Sequence, residues 1–371
     1  MSFALTEDQR VLAQEARRAG RDVLAPIATG GTPGRVNREL VAALASTGLL
    51  PRLFPPGGQA SAMDLCLLRE ALAQESTEAE TALGLQGLGA YPILQAGNPE
   101  LAAEWIPRVA RGDAVAAFAL TEPEHGSDAG ALELRAEPDG EGWRLIGTKT
   151  WISNAPDADV YSVFARTTPD AGSRGVTAFA VPGDAAGLTG EPVELISRHP
   201  VGRLEFDGVP VDESQMLGER DGGFRVAMRT LDLFRPSVGA FAVGMAQAAL
   251  DLAVAHAGER RSFGKALREH QAVSQLLGDM ATRTEAARLL VYSAASAHDR
   301  GEASTKRSAM AKLFATEAAQ WVVDAAVQIH GARALETSHP LAHLYADVRA
   351  PRVYEGTTEI QREIVARELY R

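Results

Sequence analysis

Cysteine is almost absent from this 371-residue chain. The single Cys66 excludes an internal disulfide framework and a cysteine-based zinc site, and fits a reducing compartment where the thiol is a small core residue. Positive charge is also in deficit. The 37 Lys and Arg against 48 Asp and Glu leave a net charge of −11, without the basic surface that nucleic acid or an anionic membrane requires. No uninterrupted run of about 18 apolar residues is present to span a bilayer. The first ten residues hold two acids and no apolar stretch, so no secretory signal is expected. No Gly-x-Gly-x-x-Gly follows a strand-like run, so a dinucleotide, if bound, takes another architecture. The histidines at 125, 199, 270, 330, 339 and 343 have no metal spacing, and no metal is expected. These exclusions leave a cytoplasmic protein with neither a nucleic-acid nor a membrane partner.

What is present divides the chain into three blocks. Residues 1–113 read as helices with short breaks at Thr29–Gly34, Pro55–Gly58 and Gly97–Pro99. Thr6 and Gln9 form a capping-box pattern, and 63–76 and 102–109 are amphipathic runs. Gly84, Gly87 and Gly89 lie inside a helical pattern, which close packing explains. Residues 114–221 change period. Short β-type runs at 114–120, 142–147, 159–165, 175–181 and 202–206, bounded by Gly, Pro and Asp, predict a small, mostly antiparallel β domain. Residues 222–371 return to longer helices, at 237–257, 270–300 and 305–329, and predict a four-helix bundle. The fold class is α+β, mainly α.

The stretch Asp347–Gln361 joins two helical patterns across a break at Gly356. Thr358 and Gln361 have capping-box spacing, which places Glu355 near the positive end of the following helix. A lone carboxylate there can act as a base over a ligand. Locally, the same residue also reads as a solvated helix-end charge.

Four stretches taken together resemble the acyl-CoA dehydrogenase family. They are Phe-Ala-Leu-Thr-Glu-Pro-Glu-His-Gly-Ser-Asp at 118–128, Gly-Thr-Lys-Thr-Trp-Ile-Ser-Asn at 147–154, Glu-Arg-Arg-Ser-Phe-Gly at 259–264 with His270-Gln271, and Tyr-Glu-Gly-Thr at 354–357 with Glu359 and Gln361 beyond. The second is matched to a family loop. The resemblance implies FAD, α,β-dehydrogenation of an acyl-CoA thioester, an electron-transfer-flavoprotein-like acceptor, and a homodimer or homotetramer. It implies that Glu355 removes the α proton. Phe234 stands where some members carry the base instead, so Glu355 is the only matching candidate.

The resemblance further implies flavin contacts from Leu120, Thr121, Ser127, Trp151, Ile152 and Ser153. It assigns the FAD pyrophosphate and adenosine to Arg260, Ser262 and Phe263, and further cofactor contacts to His270, Gln271, Gln328, Gly331 and Ala332, with Thr357 and Glu359 just past the base. A guanidinium such as that of Arg260 suits a pyrophosphate because it pairs with two phosphate oxygens at once. Ser127, Asp232, Arg235 and Gly356 fall on the substrate side; Asp232 and Arg235 also read as an ion pair at a helix start.

Two segments depart from the family pattern. Ala332 and Ala334 replace glycines of a Gly-Gly-x-Gly run, and the loop 197–203 is abbreviated, which leaves room for an acyl carrier thioester in place of CoA. An oxidase using O₂, a flavin monooxygenase and a non-catalytic scaffold share the fold. Glu355 disfavours the monooxygenase, and intact Glu355, Trp151 and Arg260 disfavour the scaffold.

Overall fold

The computed structural model describes residues 5–370. The first helices are α1 Glu7–Ala19, α2 Ala25–Thr29, α3 Arg38–Ser46, α4 Ala62–Ala73, α5 Thr77–Ala96 and α6 Pro99–Ala110. The strands β1 Ala116–Ala119, β2 Arg135–Asp139, β3 Gly142–Ser153, β4 Val160–Arg166, β5 Val176–Pro182, β6 Leu188–Pro192, β7 Val201–Val211 and β8 Met216–Leu217 follow. The chain then forms α7 Gly223–Glu259, a hairpin of β9 Arg261–Ser262 and β10 Lys265–Ala266, and the helices α8 Gln271–Asp299, α9 Thr305–His330, α10 Pro340–Asp347 and α11 Thr358–Glu368. By contact it divides into two compact units. One comprises residues 26–60 and 81–231, the other residues 1–25, 61–80 and 232–371.

In the first unit the strands run in the order β6-β7-β3-β2-β4-β5-β8, and β1 lies parallel to β4. The β2–β4 contact is also parallel and the remaining pairs are antiparallel. Side chains alternate between the two faces, and both faces are filled. Leu145, Tyr161, Phe179 and Phe206 build one core; Ile93, Phe164, Val176 and Leu231 build the other. Three strands, β2, β6 and β8, lay outside the sequence reading. β2 and β6 are mostly exposed and polar and β8 has two residues, so none carries an apolar alternation. The segment 147–154, expected as a loop, is mostly the end of β3.

Gly89 of α5 is explained by close packing. A Cβ there would stand 2.5 Å from the Ala116 carbonyl carbon. Nearby, the buried Gln86 side chain donates to Ala114 O and accepts from Ala116 N, both at 2.8 Å.

In the second unit α1 packs on α4, α4 on α8, α8 on α9, and α9 on α11. The capping box of α1 forms as read, with Gln9 N donating to Thr6 Oγ1 at 3.2 Å and Thr6 N to Gln9 Oε1 at 3.0 Å. Cys66 is fully buried in α4. The helix expected to begin at Ser237 instead runs from Gly223 through Pro236. Pro236 forfeits one backbone bond, and burial of the surrounding residues compensates. This helix is long and apolar enough to cross a membrane by length and composition, although its apolar residues are not one uninterrupted run; 67% of its most apolar window is buried, as in a core helix.

Candidate active site

Glu355 lies in the break between a short 3₁₀ turn, Ala350–Arg352, and α11. Its backbone is left-handed, with φ +52°, and Gly356 follows at φ +89°. Non-glycine residues adopt this conformation only when their surroundings hold them in it. Here α9 and α11 do so. Lys312 Nζ donates to Gly356 O at 2.6 Å. Glu317 binds both sides of the loop, accepting from Arg352 Nε at 2.9 Å and from the Thr358 hydroxyl at 2.7 Å.

The cap of α11 differs from the expected one. Thr357 is the N-cap, its hydroxyl accepting from Ile360 N at 3.3 Å. Gln361 does not close a box with Thr358; its Nε2 reaches back to the carbonyls of Glu355 and Gly356 at 3.2 and 3.1 Å. The Thr358 hydroxyl is engaged by Glu317, which leaves the cap to its neighbour.

The Glu355 side chain is partly buried, and its Oε2 is buried with no hydrogen-bond partner among the described residues. Burial raises its pKa above the ordinary value, while the charges of Arg69, Lys312 and Arg235 pull it down. Lys312 is itself fully buried and pushed down to about 8 by desolvation, against the pull of Glu355. Burial thus disfavours the charged form of both groups.

Asp232 and Arg235 pair at 2.6 Å within the interior of α7, not at a helix start. Arg235 is buried, its Nε has no hydrogen-bond partner among the described residues, and burial raises the Asp232 carboxyl. Phe234 between them is fully buried.

In the unit that holds the sheet, Trp151 sits where the β3–β7 register slips by one residue, between Lys149 opposite Leu204 and Ile152 opposite Gly202. Its φ is +57° and the side chain is 57% exposed, between the buried Thr150 and Ile152. A bulge re-aims a side chain in this way. Thr150 N donates to Thr121 O at 3.0 Å. Leu120 O accepts from the buried Lys149 Nζ, which also pairs with Glu122, both at 2.8 Å. Glu122 further accepts from Glu133 N and Leu134 N. The Ser153 hydroxyl is 3.2 Å from His199 Nε2, a partner the sequence reading did not supply. Ser127 is exposed.

Residues 260–271 form a separate feature. Phe263 and Gly264 both have positive φ at the tip of the β9–β10 hairpin, and Phe263 is 96% exposed. His270 is 3.2 Å from Ser262 O, and Arg260 and Gln271 are exposed. Gln328, Gly331 and Ala332 are exposed at the end of α9 and in the turn after it, whereas Ala334 is buried. His330 stacks on His256, ring centroids 4.2 Å apart. Thr357 is partly buried and Glu359 exposed, the Glu359 carboxyl lowered by its own backbone N–H and the Thr357 hydroxyl.

The chain matches the acyl-CoA dehydrogenase N-terminal domain over residues 6–113, the middle domain over 117–209 and the C-terminal domain over 221–370. This chain belongs to the acyl-CoA dehydrogenase family. Cyclohexane-1-carbonyl-CoA dehydrogenase of Geobacter metallireducens is 36% identical to it, covering 99% of this chain and 98% of that protein. Butyryl-CoA dehydrogenase from Megasphaera elsdenii superposes with TM-score 0.94 at 34% identity, all of both chains being covered. PigA with FAD and proline superposes equally well at 29% identity, over 100% of this chain and 99% of that one. As a member of this family of FAD flavoproteins, the protein is an acyl-CoA dehydrogenase. In the sheet unit the bulge holds the Trp151 indole outward beside the main chain of Leu120 and Thr121; in the other unit Arg260 is an exposed guanidinium, a group suited to pairing with phosphate.

Sequence reasoning missed Lys312, Glu317 and Arg69. A signal was available. Lys312 shares a helix face with Ser308, Ala315 and Ala319, and Arg69 shares one with Leu65, Cys66 and Leu72, so each is a charge on an apolar stripe.

Proposed function

We propose that Glu355 is the base that removes the α proton of the acyl thioester. The observation that supports this most is its buried Oε2, which no group of the described residues engages, on a left-handed loop clamped from α9 and α11. A carboxylate in such a place is poised to take a proton and is not spent on a structural bond. The backbone N–H of Glu355 is assigned to the thioester oxygen, where a donor stabilises the charge that develops as the α proton leaves. Bound FAD supplies the two-electron acceptor for the β hydride. Leu120, Thr121, Trp151, Ile152 and Ser153 are assigned to the flavin ring, and Ser127, Asp232, Arg235 and Gly356 to the substrate.

Arg260, Ser262, Phe263, His270, Gln271, Gln328, Gly331, Ala332, Thr357 and Glu359 are assigned to the remainder of the cofactor. The fully exposed Phe263 in a left-handed turn favours a homodimer or homotetramer in which this hairpin is covered. The product is a 2-enoyl thioester, and the electrons pass to an electron-transfer-flavoprotein-like acceptor. The proposed location is the cytoplasm, consistent with a single, reduced cysteine.

The test is colour. The FAD-loaded protein should bleach anaerobically when a saturated acyl-CoA is added, and a panel of short, branched, cyclic and long chains ranks the substrates. A colourless protein that takes up no FAD overturns the reading. Rapid reoxidation by air without an added acceptor would make the enzyme an oxidase. Bleaching by a carrier-protein thioester but not by acyl-CoA would change the thioester.

A further inference from the structure

Two adjacent threonines at the start of α11 each carry a hydroxyl suited to capping it. Thr358 has the capping-box spacing with Gln361, yet Thr357 is the cap, through a 3.3 Å bond from Ile360 N. Local chemistry favours the other choice. Gln361 Oε1 is buried with no hydrogen-bond partner among the described residues, and a box with Thr358 would give it the Thr358 N–H. What opposes that box is Glu317 of α9. Its Oε1 accepts from the Thr358 hydroxyl at 2.7 Å, and its two oxygens take Arg352 Nε and Nη2, each at 2.9 Å. The buried Thr358 side chain is thereby held against α9 and not over the first turn of its own helix.

We propose that Glu317 is a positioning residue that selects Thr357 over Thr358 as the cap of α11, and so fixes where Glu355 stands before the helix. This rests on Glu355 being the base. The choice of cap reaches Glu355 through Gln361. In the register seen, Gln361 Nε2 donates to the carbonyls of Glu355 and Gly356 at 3.2 and 3.1 Å. A Thr358–Gln361 box would draw that side chain to the Thr358 N–H and away from both carbonyls. Glu355 and Gly356 have φ of +52° and +89°, and a glutamate keeps such a backbone only while its surroundings hold it. Loss of the two bonds therefore frees the carboxylate to move. The Arg352 and Glu317 side chains are 29% and 31% exposed, so their ion pair adds little stability by itself. Its importance lies in tying together residues 352 and 358, which flank Glu355 on either side.

The test uses the FAD-loaded enzyme and reads two quantities. One is the rate of anaerobic flavin reduction, per bound flavin, at saturating acyl-CoA. The other is amide hydrogen exchange across residues 357–361, by mass spectrometry. Glu317→Ala releases Thr358 and leaves Arg352 to solvent. Exchange should rise, and flavin reduction should slow by roughly 10–100-fold, the scale of a misplacement approaching about 1 Å. Glu317→Ala/Thr358→Val then removes the rival hydroxyl at nearly constant shape, so both readouts should return most of the way to the parent's. A merely structural brace predicts the reverse, because the second substitution deletes a further polar group. Parent-like exchange and rate in Glu317→Ala overturn the proposal, as does a double variant no faster and no better protected than the single one. If Glu317→Ala does not fold, a folded and active double variant is itself the rescue, and a double variant that also fails to fold overturns the proposal. Faster exchange with an unchanged rate overturns the positioning role. Glu355→Gln is run alongside: reduction at the parent's rate there would overturn the base assignment, while exchange would still report which threonine caps the helix.

Discussion

Lys312 Nζ donates to the carbonyl of Gly356 at 2.6 Å, one residue beyond Glu355. A single buried ammonium thus holds the loop that carries Glu355 and bears on the charge of its carboxylate.

This contact predicts a pH dependence. The Lys312 pKa is lowered from 10.5 to about 8, so between those values the unfolded chain binds more protons than the folded one. The cost of keeping this lysine charged is fully present below pH 8 and is relieved as the pH rises toward 10.5. Against Lys312→Met, the parent should therefore gain melting temperature across that window. A difference that stays flat with pH would show that the ammonium is not desolvated. The variant should also lose turnover, through release of the Gly356 carbonyl.

Glu355→Gln should keep its FAD absorbance and lose turnover by roughly 10²–10⁴-fold, the weight of a positioned base. Because burial raises the folded-state pKa of Glu355, the fold disfavours its ionised form. That cost is absent at low pH and fully present once the pH exceeds the folded pKa, so the glutamine variant should melt higher than the parent near neutral pH. Thermal scans at acid and neutral pH, with stopped-flow flavin reduction, check both halves.

Gly356→Ala should cost about 1–2 kcal/mol, since a Cβ is strained at φ +89° and would stand 2.4 Å from Gln361 Nε2. The two Gln361 bonds that secure the loop are then disturbed, so catalysis should fall while FAD content does not. Urea unfolding combined with steady-state rates separates the two effects.

The Lys149–Glu122 pair should be asymmetric under mutation. Lys149→Met leaves Glu122 buried with only backbone partners and should cost about 3–5 kcal/mol. Lys149→Met/Glu122→Gln should recover a large part of that loss. FAD retention should fall in the single variant, because Lys149 also ties down the carbonyl of Leu120. Denaturant melts and gel-filtered flavin content test it.

Local chemistry made part of this protein legible from its residues alone. The Thr6–Gln9 box needs only four residues in a row, so it forms as read. The helical, β and helical blocks follow from the period of the apolar residues. The strands that escaped are β2 and β6, which are mostly exposed and polar, and β8, which has too few residues to alternate. The cap of α11 was misplaced by one residue because Glu317, 41 positions away, takes the Thr358 hydroxyl.

The sequence by itself determined that Glu355 stands at a helix break in a family-like motif. Only the tertiary structure decided what kind of carboxylate it is. Its solvation and its field depend on Arg69, Lys312 and Arg235, which come from three different helices. Coulomb interaction and dehydration are set by distance in space and by exclusion of water, and neither is written in the spacing of residues along the chain.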